Sequence, residues 1–215
     1  MKNAVCLSVF LLITCLSFGQ GYKIGVVVEP QITWMSSESK KVGNEGSIVG
    51  INGGLSIDKY FQKNYALHTG LTIGSQGGKL RYTDSISFDV DGNLIKLDKG
   101  SVVEYRLNYI TVPLALKLKT NQIGYFSYYA QLGFTNQFNI KAKASSGNLL
   151  EKDIIKKEIR FYDLSYNFGA GIEYELSKET AFTIGIIYHN GFLDLTDQST
   201  KVVSRALTLS VGIIF

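Results

Sequence analysis

Thiols are the first scarcity. The 215-residue chain has two cysteines, Cys6 and Cys15, both close to its start. Because that segment is expected to be removed, the remainder has no disulfide, thiolate metal site or cysteine nucleophile. Its stability must come from packing and hydrogen bonds. Proline is as rare, with only Pro30 and Pro113. Histidine is limited to His68 and His189, the only side chains of ordinary pKa near neutrality. Charge of one sign never accumulates: 22 Lys and Arg stand against 18 Asp and Glu, a formal balance of +4. The scattered basic residues form no stripe, so no nucleic-acid partner is expected. They read as solvated loops and turns, with attraction to anionic surface lipid or polysaccharide as the alternative.

Long apolar runs are missing too. The basic Lys2 is followed by an apolar run from Ala4 to Leu16, then by Ser17-Phe18-Gly19-Gln20. That run falls short of the roughly 20 residues of a spanning helix and has the small residues suited to signal peptidase cleavage near Gly19 or Gln20. Residues 1–19 are therefore expected to be a cleaved signal peptide and 20–215 a single domain. Lipid attachment at Cys15 is disfavoured, because Thr14 fits that motif poorly and the apolar run continues past it. With no other long apolar stretch, membrane embedding requires a closed barrel in which every strand satisfies its neighbours' backbone groups.

What is present favours strands: 13 Tyr, 12 Phe and 22 Gly against 2 Pro. Alternating segments of about ten residues, the length of a tilted membrane strand, occur eight times. They run from Tyr22 to Met35, Ser47 to Asp58, Tyr65 to Gln76, Val102 to Lys119, Tyr125 to Ile140, Arg160 to Leu176, Thr180 to Asn190 and Ser204 to Phe215. The segment from Arg160 is the clearest. It sets Tyr162, Leu164, Tyr166, Phe168, Ala170, Ile172 and Tyr174 against Asp163, Ser165, Asn167, Gly169, Gly171, Glu173 and Glu175. Pro113, inside the fourth segment, is expected to force a local bulge, since proline lacks the ladder N–H.

Alternation alone also suits a soluble sandwich or a ligand-carrying barrel whose apolar face points inward. Three features favour lipid outside. Short connections (58–64, 119–124, 177–179) alternate with long ones (36–46, 77–100, 141–158, 191–203), the asymmetry of periplasmic turns and external loops. The polar faces carry Gly, Ser, Thr, Asn and Gln with few charges, as a narrow lumen requires. The last segment alternates through Leu207, Leu209, Val211 and Ile213 to Phe215, which looks like the signal read by the outer-membrane assembly machinery. The expected fold is an all-β, eight-stranded antiparallel up-and-down transmembrane barrel. Its expected partners are outer-membrane lipid and, through Phe215, that machinery. Tyr22, Trp34, Tyr65, Tyr125, Tyr174 and Tyr188 are candidates for the interfacial girdles.

The stretch Leu107-Asn108-Tyr109-Ile110-Thr111-Val112-Pro113-Leu114-Ala115-Leu116-Lys117 resembles the fourth-strand motif of the PorT-like outer-membrane β-barrel family common in Bacteroidota. The run from Gly70 to Lys79 resembles its third strand, and Phe168-Gly169-Ala170-Gly171-Ile172-Glu173-Tyr174 its sixth. The resemblance spans the mature chain and implies an outer-membrane barrel. Because the family's name comes from a member linked to secretion and gliding, it also points to an envelope or secretion complex. It implies no catalytic residue.

No residues assemble a catalytic, cofactor or metal signature. His68 lies on a polar face and is expected to bond a lumen carboxylate such as Glu29, Glu104 or Glu173. Glu29, Lys117 and Glu173 are expected to pair across the interior. His189, with Asp194, Asp197, Ser199 and Ser204 following, outlines a rim hydrolase or acyltransferase, but no spacing joins these groups. Asp89-Val90-Asp91-Gly92-Asn93 lacks the spacing and closing Glu of a calcium loop and reads instead as the turn of a hairpin between 86–88 and 94–97. Ser145-Ser146-Gly147-Asn148 and the charge run from Glu151 to Arg160 read as a solvated loop, with partner binding second. The expected function is a non-enzymatic membrane anchor or interaction module using its external loops, with a narrow pore or a rim enzyme as alternatives.

Overall fold

The structure, a computed structural model, describes residues 21–37, 39, 41–90, 93–147, 150–155, 159–196 and 200–215. The expected signal peptide lies outside them, as do Asp91, Gly92, Asp197 and Ser199. Twelve strands follow in chain order: β1 (Tyr22–Ser37), β2 (Val42–Gly46), β3 (Ile48–Gln62), β4 (Tyr65–Tyr82), β5 (Ile86–Val90), β6 (Asn93–Leu97), β7 (Val102–Lys119), β8 (Phe126–Ser146), β9 (Leu150–Ile154), β10 (Tyr162–Glu175), β11 (Ala181–Gly191) and β12 (Val202–Ile214). Eight of them (β1, β3, β4, β7, β8, β10, β11 and β12) pair antiparallel in a ring that β8 and β10 close. The other four extend the wall or the loops at one end.

The alternation places side chains as the pattern requires. Ile24, Val26, Val28, Ile51, Leu71, Leu114, Leu132, Phe168, Ile186 and Leu209 lie exposed on the outer wall, while Gln31, Thr72, Thr111, Gln131, Asn167 and Thr208 are buried inside. On β7 the outward apolar positions run from Ile110 to Leu118, about 27 Å along the strand, or roughly 20 Å of height at an ordinary tilt. Aromatic clusters mark both borders. Tyr174 packs with Phe126 and Tyr125 at the short-turn end, while Phe168, Tyr188 and Trp34, then Tyr166 and Phe192, form clusters toward the other. Tyr22 lies under Lys59.

Pro113 is not bulged, contrary to the sequence expectation. It stays in register opposite Thr135, and the β4–β7 ladder keeps one register on either side of it. The missing N–H instead leaves that ladder open at Pro113, and the Thr69 hydroxyl donates to the Pro113 carbonyl at 2.9 Å. Pro30 repeats the arrangement between β1 and β12. The bulge lies higher, where Asn108 and Tyr109 face Lys141 and Asn139 and Ile140 is the extra residue. It reverses the facing of β8, so that Ala142 and Ala144 turn inward.

Candidate functional site

The interior is stacked in three tiers. At the short-turn end is a compact charge cluster. The Lys117 ammonium lies 2.6 Å from both Asp58 and Glu173, and Lys119 bonds the second Glu173 oxygen. His68 Nδ1 lies 2.6 Å from Asp58, and because an ionised carboxylate only accepts, that nitrogen carries the hydrogen. The Lys117 ammonium also sits 4.5 Å from the centre of the Tyr129 ring. Two carboxylates and two ammonium groups cancel, which is how such charges tolerate burial. The expected pairing of Lys117 with Glu173 is present. The partner of His68 is Asp58, not Glu29, Glu104 or Glu173: Asp58 and His68 are neighbours across the β3–β4 ladder. Glu29 instead accepts from the Ser210 hydroxyl.

The middle tier is neutral and hydrogen-bonded. Gln76 and Gln137 exchange amide bonds at 3.1 and 3.3 Å across β7. Gln31 donates to Asn52 and to the Ser75 carbonyl and accepts from Thr208. The free space is about 60 Å³, enough for a few water molecules at roughly 10–15 Å³ each. His189 is in this tier: it lines the lumen with Nδ1 at 3.4 Å from the Thr135 hydroxyl. Asp194 is engaged elsewhere, accepting from the backbone N–H groups of Thr196 and Val202, and Ser204 donates to Asp163. The described members of the imagined rim triad thus have separate partners.

The third tier has the opposite chemistry. Met35, Leu80, Tyr82, Phe88, Leu97, Val103, Tyr105, Leu107, Tyr109, Ile155, Leu195 and Val202 form a buried apolar core above the polar lumen. The Tyr82 and Tyr105 hydroxyls meet at 2.6 Å inside it. The β5–β6 hairpin, expected from sequence, contributes Phe88 and Leu97. Long connections are tied to one another as well: Thr83 N–H donates to the Lys41 carbonyl, Arg160 N–H to Leu195 and the Ser37 hydroxyl to Lys201. On the exterior of this cap, Arg81 donates to Glu45 at 2.7 Å. That bond holds the Glu45 carboxyl below its usual range. Partial burial opposes the charge of Glu104, but hydrogen bonds from Arg106 and Lys79 prevail and hold its carboxyl low as well.

Closure of eight strands around a polar lumen, with an oily outer band between aromatic clusters, is the architecture of a bilayer-spanning barrel. The model of the outer membrane protein β-barrel domain matches residues 16–197. The chain belongs to that family. Among solved structures, this family member is similar to neisserial surface protein A, with a TM-score of 0.53 and 12% identity over 91% of this chain and 96% of that one. Ail, the attachment invasion locus protein of Yersinia pestis, gives 0.45 and 15% over 91% and 100%. The outer membrane protease OmpT of Escherichia coli gives 0.46 and 7% over 92% and 97%. At these identities the likeness to the neisserial protein speaks for fold alone. No curated protein matches in sequence. The family barrel resides in the outer membrane, with its long connections and apolar cap on the external side and its charge cluster at the periplasmic end.

The apolar cap was missed in the sequence, although a signal was there. On β7 the apolar positions are Val103, Tyr105, Leu107 and Tyr109, then Ile110, Val112, Leu114 and Leu116. The doublet Tyr109-Ile110 marks a change of face, from apolar inside to apolar outside.

Proposed function

We propose that this protein is a non-enzymatic outer-membrane anchor whose folded external cap binds another component of the cell envelope. The observation that carries this reading is the apolar core on the external side. The described parts of its connections are packed and mutually bonded, which presents a fixed surface and lowers the entropy lost on binding. The hydrogen-bonded middle tier, with about 60 Å³ free, supports an anchor over a solute path. The separate partners of His189, Asp194 and Ser204 support a non-catalytic role. The resemblance to PorT-like barrels supports an export or envelope complex as the partner. We further propose that residues 1–19 are removed during export and that the β12 pattern ending in Phe215 is what the assembly machinery reads.

The test is crosslinking and affinity capture from native outer membranes, comparing wild type with a chain in which residues 84–99 are replaced by a short Gly-Ser linker. A defined envelope protein captured by wild type and lost from the variant is the expected result. Equal capture by both, or steady ion conductance of the wild type in planar bilayers, counts against the anchor reading.

A further inference from the structure

The outer wall just beyond the apolar band carries a concentration of positive charge that the nearby acid, Glu104, offsets only in part. Ile73, Ile110 and Phe138 form the last apolar row across β4, β7 and β8. Two residues further along β4 and β7, and three along β8 where Ile140 is the extra residue, come Ser75, Asn108 and Lys141, and two further again Gly77, Arg106 and Lys143. At about 3.4 Å per residue and a tilt of roughly 40°, these rows stand about 5 and 10 Å above the apolar border. The headgroup layer occupies that height, being about 5–7 Å deep on each side of the hydrocarbon.

The pairing is unfavourable as it stands. Arg106 and Lys143 are direct cross-strand partners, and like charges so placed repel. The nearby acid, Glu104, is already shared by Lys79 at 3.3 Å and Arg106 at 2.7 Å. Among the side chains the structure describes, none joins Lys141 or Lys143 in an ion pair. Ser75, half-buried opposite Asn108, presents only a short side chain on the adjoining β4 wall, so a group can approach Lys141 sideways. A wall built only for solvation gains nothing from this arrangement, whereas an anion with several oxygens relieves it through charge-assisted hydrogen bonds.

We propose that Lys79, Arg106, Lys141 and Lys143 form a binding site for the phosphate-bearing headgroup of an outer-leaflet lipid. A lipid is favoured over free phosphate because the apolar row of Ile73, Ile110 and Phe138 lies directly below, where acyl chains continue from the headgroup.

The experiment titrates the folded, detergent-solubilised barrel with lipopolysaccharide as the phosphorylated lipid and with phosphatidylcholine as the zwitterionic control. Wild type binds lipopolysaccharide in preference, and added salt weakens the binding. Lys141→Gln/Lys143→Gln binds it about fivefold more weakly for each lysine removed, roughly twenty-fivefold in all. Lys141→Arg/Lys143→Arg retains binding, and Lys59→Gln/Lys63→Gln at the periplasmic rim leaves it unchanged. Heat-modifiable gel mobility verifies that each variant is folded. Equal affinity of wild type and the glutamine variant overturns the proposal, as does loss of affinity in the arginine variant. Complete displacement of the lipid by millimolar inorganic phosphate also overturns it, in favour of a free-anion site.

Discussion

Lys117 is the residue on which the lower lumen balances. It is 4% exposed and faces two carboxylates that are themselves almost fully buried. Lys117→Met should destabilise the barrel by about 3–5 kcal/mol, because it leaves uncompensated charge inside. Urea unfolding in lipid vesicles measures this, with Lys63→Met at the exposed rim expected to stay within about 0.5 kcal/mol of wild type. The Tyr129 ring next to Lys117 depends on glycine: a Cβ at Gly185 would stand 2.3 Å from its hydroxyl oxygen and one at Gly171 2.5 Å. Outside the bilayer, Glu104 gives a pH prediction with a definite sign. Its folded carboxyl titrates below the ordinary glutamate value, so its ion pairs contribute fully above about pH 4.3 and are lost as pH falls through the lowered folded value. Carbon-detected NMR of the Glu104 carboxyl should give a midpoint below that of a free glutamate, and an ordinary midpoint would contradict the pairing.

At the scale of elements, periodicity made the eight wall strands legible. The ends were harder to read. β4 and β8 reach Tyr82 and Ser146, beyond the segments read from sequence, because the wall continues past the membrane with its faces exchanged; β3 runs on to Gln62 at the short-turn end, where the β3–β4 register shifts between Tyr60 and Gln62. A reading that asks for one apolar face per strand stops where the apolar parity changes, at Ile73 to Leu80 on β4; on β7 the segment from Val102 to Lys119 was read at full length, but its change of face at Tyr109-Ile110 was not. The His68 partner was illegible for another reason: choosing Asp58 needs the β3–β4 register, which the alternation leaves open by two-residue steps. The exchange of faces predicts opposite tolerances. Val211, between Val28 and Ile184 on the outer wall, should resist arginine, with Val211→Arg costing about 2–4 kcal/mol if it lies near mid-bilayer. Phe88 on β5 is fully buried, and Phe88→Ala should cost the cap about 3–5 kcal/mol. Limited proteolysis of the external connections reads this, with the membrane portion still resistant.

At the scale of the whole molecule, the interior is sealed by different means at its two ends, paired charge toward the periplasm and packed hydrocarbon toward the outside. Planar-bilayer recordings of wild type should show no sustained conductance, and loosening the cap alone should not open a path while Lys117 still bridges Asp58 and Glu173. The exchange of faces at Tyr109-Ile110 also gives the protein a waterline. Below that mark it floats in oil with a wet hold, and above it stands in water with a dry one. Sinking by one row would drown lysines in hydrocarbon, and rising by one would strand aliphatic planking in the aqueous phase. The draught of the vessel is therefore written into a single strand, and whatever boards the deck meets it at a constant height above the sea.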